Sequence, residues 1–346
     1  VIGGLQTEWG RGLALRALNE TLTAAMGSTV HVAGLAPGFP LRLAFDELTL
    51  SDAEGAWLVV EKFEFHWLPV ELLSATVAID TLTAERIAVA RLPQAESQTT
   101  PEPAPAGLRL PTVPIDTHVD RLAIGTLELG APVVGEPLTL TVRGHLGANA
   151  GATINSDLDV HRIDGGVLTL NASAQLDPRT SRLSVDVGFM EGPHGVVAAL
   201  SGLPGGPPLQ LALVGDGPLD AWDGRLEFTA TDLVSLAADV RLRGEDGRRL
   251  EVDGRVDWRQ QPPELIPIIL RPAVVGGVAF AAAVDFSDGG PITLEKMALQ
   301  AEGLRVAARG TLDPTHDQLD VTVNADLAAK ALARDSMGGF SFQSAK

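Results

Sequence analysis

Two stretches of the sequence repeat one turn: Gln175–Val187 (QLDPRTSRLSVDV) and Thr311–Val323 (TLDPTHDQLDVTV). In both stretches Leu-Asp-Pro ends one run of alternating apolar residues, and a Leu followed by two Val begins the next. Asp bonds its own backbone and Pro presets φ, so Asp-Pro makes the bend between two strands. A repeated corner predicts a repeated structural unit, and repeated units build long surfaces.

From about residue 29 onward, apolar and polar residues alternate with a period of two. This alternation leaves one face of each strand apolar and the other hydrated, which is typical of antiparallel sheets. The sequence therefore predicts an all-β fold, an elongated, curled antiparallel sheet whose apolar face lines a groove (a β-taco). One amphipathic helix is predicted over residues 7–26, where Leu15, Leu18 and Leu22 recur at helical spacing.

The apolar positions of the alternation are the candidate lining of that groove. They are Leu41, Leu43, Phe45, Phe63, Phe65, Leu122, Ile124, Leu138, Leu140, Val142, Leu168, Leu170, Leu183, Val185, Val187, Leu209, Leu211, Leu213, Leu226, Phe228, Val278, Phe280, Val284, Leu304, Val306, Val321 and Val323. If this wall is open, Asp at Leu140 or Val185 is expected to leave the fold intact.

One Pro-rich stretch marks the organisation of the chain, because Leu92–Asp116 contains six Pro among small polar residues. The predicted sections are a helical segment at 1–28, a first groove section at 29–92, a linker or excursion at 93–118, a repetitive groove section at 119–335 and a tail at 336–346.

The charge balance disfavours two kinds of partner. Lys and Arg number 26 and Asp and Glu number 44, which gives a net charge of −18. This balance argues against nucleic acid, whose binding depends on neutralising phosphates, and against adsorption to anionic membranes. The chain has no Cys, so disulfides and thiolate metal sites are excluded.

The chain carries no recognisable catalytic motif. It contains no HExxH, GxSxG, Walker A or GxGxxG sequence, and its seven His do not fall at metal-ligand spacing. Asp216, Asp220 and Asp223 cluster in one segment but do not match a calcium loop. We therefore expect no enzymatic activity, no metal and no cofactor.

A bare apolar sheet face must be covered, because it otherwise aggregates. It can pack on a second sheet, close into a barrel, or curl around its own groove. A membrane barrel is disfavoured because such barrels carry aromatic girdles, and this chain has no Tyr.

Three segments resemble a known family. They are Phe39–Pro93 (FPLRLAFDELTLSDAEGAWLVVEKFEFHWLPVELLSATVAIDTLTAERIAVARLP), Leu110–Gly144 (LPTVPIDTHVDRLAIGTLELGAPVVGEPLTLTVRG) and Gly215–Phe228 (GDGPLDAWDGRLEF). Their order resembles the TamB family, the inner-membrane subunits of the translocation and assembly module of Gram-negative bacteria, which is similar to AsmA-like bridge-type lipid transporters. The likeness runs from near Thr7 to about Ala329.

The resemblance implies a periplasmic bridge that carries phospholipid between the inner and outer membranes and supports outer-membrane biogenesis. It also implies an inner-membrane anchor helix and a C-terminal region that meets an outer-membrane barrel partner, TamA-like, and neither is expected within this chain. Two other functions stay open: a chaperone that pairs its sheet edges with outer-membrane proteins, and a structural β-solenoid with a dry interior.

Overall fold

The computed structural model describes most of the strand-forming chain. The described residues are 29–36, 42–68, 76–93, 116–148, 153–244, 248–259, 271–286, 291–313 and 318–327. The predicted helix at 7–26, the candidate Leu41, most of the Pro-rich segment and the tail at 336–346 lie outside them.

The described residues form 17 strands and three short helices. The strands are β1 Thr29–Ala33, β2 Arg42–Asp52, β3 Gly55–Trp67, β4 Thr76–Val89, β5 Asp116–Leu129, β6 Leu138–Ala148, β7 Ile154–Arg162, β8 Leu168–Asp177, β9 Arg182–Glu191, β10 Leu209–Pro218, β11 Ala221–Ala230, β12 Val234–Arg243, β13 Arg249–Trp258, β14 Val278–Phe286, β15 Ile292–Gln300, β16 Leu304–Asp313 and β17 Gln318–Leu327; the helices are α1 Ala131–Val134, α2 Val196–Leu200 and α3 Arg271–Val274. The predicted all-β fold class is confirmed, since most described residues lie in strands and the strand pairing is largely antiparallel.

The strands divide between two compact units. Strands β1 to β10 belong to the first unit and β12 to β17 to the second, while β11 crosses the boundary between Trp222 and Asp223. Within the first unit each strand pairs with the next strand along the chain, from β1 to β10. Strands β12 to β17 of the second unit pair in the same sequential way.

One pair in the first unit departs from the antiparallel pattern. Strands β4 and β5, of 14 residues each, run parallel, with Leu82 beside Leu122 and Val89 beside Leu129. Parallel neighbours need a connection that returns to the starting end of the sheet, and residues 90–115 make that connection. Apolar and polar residues alternate with the same period in parallel and antiparallel strands, so the sequence pattern does not show that β4 and β5 run parallel.

One break in the alternation of side chains between the two faces interrupts β3. Val60 and Phe63 belong to the same apolar cluster although they are three residues apart on β3. Between them Lys62 has a φ of 48°, a left-handed conformation that breaks regular alternation. The apolar side chains on both sides of the break therefore share one face.

Two apolar clusters form the core of the first unit. The cluster of β1 to β4 is built on Val30, Val32, Phe45, Leu50, Val60 and Ala84, with Phe45 and Phe63 stacked at 4.8 Å between ring centroids. The cluster of β5 to β9 is built on Leu138, Leu140, Leu168 and Val196.

Helices α1 and α2 lie at the same end of the first unit's sheet. Helix α1 joins β5 to β6, and α2 joins β9 to β10. The β7–β8 turn lies at this end too, because Leu140 near the start of β6 pairs with Arg162 at the end of β7. We call this end the helical rim, and the opposite end, with the turns 177–182 and 218–221, the turn rim.

Candidate functional site

Cross-strand register assembles the candidate lining of the first unit on one face. One row of side-by-side positions runs Leu43, Phe65, Leu82, Leu122, Gly144, Leu158, Ala172, Val187 and Leu213. The other described candidates fall in parallel rows of this face: Phe45, Phe63, Ile124, Leu138, Leu140, Val142, Leu168, Leu170, Leu183, Val185, Leu209 and Leu211. We call this surface the apolar face of the first unit.

The second unit has an apolar face of its own. Phe280 pairs with Leu299 and Val306 with Ala325, while Val284 pairs with Leu294 and Val321 with Gly310. Candidates Val278, Leu304 and Val323 lie on the same face by the same register. Candidates Leu226 and Phe228 lie two residues apart on β11 and are half-buried.

Several residues of the apolar face were not among the candidates. Leu158, Val160 and Phe189 lie in its rows, opposite Ala172, Leu170 and Leu211. The same alternation finds all three: Leu158 and Val160 stand between Asp and His residues, and Phe189 continues the alternation of Val185 and Val187.

The apolar face of the first unit has a covered part next to the helical rim. Leu138, Leu140 and Leu168 are 4%, 7% and 8% exposed, and Val196 of α2 packs against them at 3%. The covered part is therefore a closed core and not a free surface.

An open part of the same face lies on β9 and β10. Val185, Val187, Leu211 and Leu213 are only half-buried, although they lie on the same face as the covered residues. Their side chains present a strip of aliphatic surface of one chemical kind. In the part of the chain that the structure describes, this strip is the best candidate for a ligand-binding surface of the first unit.

A buried carboxylate holds α2 in place over the covered part. Glu191 is 1% exposed and lies on the apolar face between Leu168 and Leu209. Its two carboxylate oxygens accept hydrogen bonds from the backbone N–H groups of Val197 at 2.9 Å and Ala198 at 3.0 Å. These are N–H groups of a first helical turn, which have no partner within the helix, so Glu191 caps α2 from a distance of several residues.

A second polar group of the helical rim is also satisfied internally. Arg162, with 14% of its side chain exposed, lies 2.5 Å from Asp164 and 3.3 Å from Glu136. Burial alone raises the pKa of Asp164, but the Arg162 guanidinium and the backbone N–H groups of Thr139 and Gly166 outweigh it and lower that pKa.

The polar face of the first unit carries His and Asp side chains that contact one another. His145 lies 2.9 Å from Asp157, and His161 lies 2.8 Å from Asp159. His145 and the two Asp border an open depression of about 580 Å³ over β6 to β9, whose lining includes Asn171, Ser173 and Asp186. Because most of its acidic groups are already paired with His or Asn171, the depression is a weaker candidate than the apolar face.

The described residues hold neither a metal-type cluster of side chains nor a membrane-spanning helix. No group of three or more His, Asp or Glu side chains there is placed to hold a metal ion. Among the helices of those residues, none has both the length and the apolar character needed to cross a bilayer.

Comparisons with known proteins give no relative. No family model, no curated protein and no solved structure matches this chain. The resemblance to the TamB family therefore stays a prediction.

Proposed function

We propose that the apolar face of the first unit binds the acyl chains of phospholipids and shields them from water. The observation that carries the proposal is the open part of that face, where Val185, Val187, Leu211 and Leu213 stay only half-buried on the same face as a closed core. Large contiguous apolar surfaces left open on a folded protein mark binding sites for apolar ligands or partners.

The energetic reason is the cost of moving a lipid through water. A diacyl lipid exposes roughly 30 methylene groups, and at about 0.8 kcal/mol each the gross penalty is on the order of 20 kcal/mol. A strip of Leu and Val removes part of this penalty wherever the chain rests. Since all its contacts are aliphatic, no position of the strip binds an acyl chain much more tightly than the others, and the acyl chain can slide along it.

The wider role follows from the resemblance and not from the geometry. In this proposal the chain is a segment of a periplasmic bridge between the inner and outer membranes, with a TamA-like partner at the outer membrane. No bond-making chemistry is needed, since the work is solvation of a hydrocarbon chain.

The test compares two Asp substitutions on neighbouring strands. Val187→Asp places a charge in the open part, whereas Val214→Asp places it on the polar face of β10, where the side chain is 53% exposed. Native mass spectrometry of gently purified protein is expected to show bound phospholipid in the wild type and in Val214→Asp, and much less in Val187→Asp.

Two results contradict the proposal. One is a wild-type protein that retains no phospholipid and also excludes apolar dyes. The other is equal loss of lipid in both variants. Leu140 is unsuitable for this test despite its place in the same face, because it is only 7% exposed and packs in the core with Val196.

A second candidate function is supported by strand β17. All ten of its residues are exposed, including Leu319 at 71% and Val323 at 59%, and among the described strands it pairs with β16. An open edge of this kind can accept an extended segment of an outer-membrane protein by β-augmentation. Crosslinks formed from β17 edge positions, and not from Val187, favour this chaperone function.

A further inference from the structure

The short helices recur at a fixed interval in the part of the chain that the structure describes. Helix α1 follows β5, α2 follows β9 and α3 follows β13, so each helix comes four strands after the previous one. The Leu-Asp-Pro stretches keep the same interval, because the first spans the end of β8 and the start of β9, and the second spans the end of β16 and the start of β17, eight strands later. The chain therefore repeats a module of four strands and one connecting helix.

Helices α2 and α3 are each held by a side chain from the end of the preceding strand. Glu191 of β9 accepts hydrogen bonds from backbone N–H groups of α2. Trp258 of β13 instead donates its indole N–H to the carbonyl oxygen of Val274 in α3, at 3.0 Å. Each helix also buries two of its own residues. The segment β13–α3–β14 of the second unit is therefore the structural counterpart of β9–α2–β10 in the first.

The register of β9 and β10 defines where the open part of the first unit lies relative to its helix. Glu191 and Leu209 form the pair next to α2, and Val187 pairs with Leu213 four residues further from the helix on both strands. The corresponding position in the second unit can be read from the pairing of β13 and β14.

The residues at this corresponding position are apolar and half-buried, as they are in the first unit. Val256 and Val278 form the pair next to α3, and four residues further from the helix Val252 pairs with Ala282. Val252, Phe280 and Ala282 are all half-buried. The second unit therefore has an open part of its apolar face at the same place in the module.

Two rows extend this open part across four strands of the second unit. The rows are Val240, Val252, Ala282 and Met297, and Leu242, Leu250, Val284 and Leu294. We call these eight residues the second-unit strip. Neither row contains a charged or hydrogen-bonding side chain, because the charged residues of these strands take the alternating positions, as Arg241 opposite Glu251 does.

We infer that the second-unit strip is a separate binding site for one acyl chain of a phospholipid. Four strands about 4.8 Å apart give each row a length of roughly 14 Å, comparable to the ~15 Å that one acyl chain spans in half of a bilayer core of about 30 Å. The strip offers a ligand no polar contact, which suits a hydrocarbon chain better than a protein segment, whose backbone needs hydrogen-bond partners. The inference rests on the proposed function for the kind of ligand and adds a second site.

The test compares two identical substitutions on β14 of the whole chain. Ala282→Asp places a carboxylate in the second-unit strip, whereas Ala279→Asp places it on the polar face, opposite Arg255. Both alanines are half-buried, and a circular dichroism spectrum and a melting curve check that the fold is kept. Native mass spectrometry with added phosphatidylcholine is expected to show two bound lipids in the wild type and in Ala279→Asp, and one in Ala282→Asp. Val187→Asp is expected to bind one lipid, and its combination with Ala282→Asp none.

A second measurement needs no variant and decides the question if Ala282→Asp fails to fold. Phosphatidylcholine with a photoreactive diazirine on its acyl chain, crosslinked to the wild-type protein, is expected to label both β9–β10 and β13–β14. Labelling confined to β9 and β10 overturns the inference and leaves the proposed function intact. Labelling confined to β13 and β14 supports the second site and contradicts the proposed function for the first unit.

Three further outcomes overturn the inference. Labelling of neither unit contradicts both the inference and the proposed function. Equal loss of lipid in Ala279→Asp and Ala282→Asp shows that the loss does not come from the strip. A lipid-free dimer that dissociates only in Ala282→Asp shows that a second copy of the chain, and not a lipid, covers the strip.

Discussion

The covered and open parts of the first unit's apolar face are built from the same residue types on neighbouring strands. Leu168 at 8% exposure is buried, whereas Val187 on the next strand is only half-buried. The difference is the five-residue helix α2, whose Val196 packs on Leu138, Leu140 and Leu168. Residue type therefore does not decide which part of the face is free to bind a ligand.

The largest expected effect tests this contrast directly. Leu168→Asp places a carboxylate under α2 with no partner, and we expect a loss of about 4 kcal/mol or more in the free energy of unfolding. Val187→Asp reaches solvent, and we expect a loss of roughly 1 kcal/mol. Urea denaturation of the two variants measures the difference. Equal losses would show that the two parts are buried alike.

The next effect concerns Glu191, which holds α2 over the covered part of the face. Glu191→Ala leaves the N–H groups of Val197 and Ala198 without their acceptor and opens a cavity between Leu168 and Leu209, at an expected cost of about 2–4 kcal/mol. Glu191→Gln keeps one acceptor oxygen and is expected to cost less. Hydrogen exchange at the Val197 and Ala198 amides checks the cause, and unchanged protection in Glu191→Ala contradicts the capping role.

A smaller effect concerns acid stability of the helical rim. The pKa of Asp164 is lowered in the folded protein. Its ion pair with Arg162 therefore stabilises the fold fully at pH values above the ordinary carboxyl pKa of about 4. This contribution is lost as the pH falls through the lowered pKa of the folded protein. Asp164→Asn is expected to cost about 1–2 kcal/mol at neutral pH and to flatten the acid limb of the stability curve. If the free energy of unfolding falls with decreasing pH equally steeply in the wild type and in Asp164→Asn, the acid sensitivity belongs to other groups.

The smallest effect is expected where the apolar side chains have no cover. Val323 on β17 is 59% exposed, so Val323→Asp should change the free energy of unfolding of the second unit by no more than about 0.5 kcal/mol. Thermal denaturation measures it. A loss comparable to that of Leu168→Asp would mean that β17 is covered in solution.

Much of the apolar face follows from alternation alone. Period-two spacing places Leu183, Val185 and Val187 on one side of β9. The register then sets them beside Leu176, Ala174 and Ala172, in that order. The first copy of the Leu-Asp-Pro corner does form a hairpin turn between β8 and β9, where Asp177 accepts the N–H of Arg179, whereas residues 314–317 of the second copy lie outside the described residues. These features depend on local sequence, which is why the pattern predicts them.

The remaining features depend on tertiary context. Helix α2 has only five residues, too few to show helical periodicity, and it forms because Glu191 supplies acceptors from another element. A Glu at the end of a strand is ordinarily solvated, so nothing in the sequence marks Glu191 as buried. The left-handed Lys62 shifts side-chain parity in β3, and simple alternation does not register such a shift.

The parallel pairing of β4 and β5 sets an order for assembly. Strands β1 to β4 and β5 to β10 each form from near neighbours in the chain, whereas β4 and β5 pair although residues 90–115 separate them in the sequence. Contacts between distant residues form slowly because the loop entropy is lost first. We expect two early-folding halves whose joining is the late step, and until then two 14-residue strands expose bare edges that are open to mispairing.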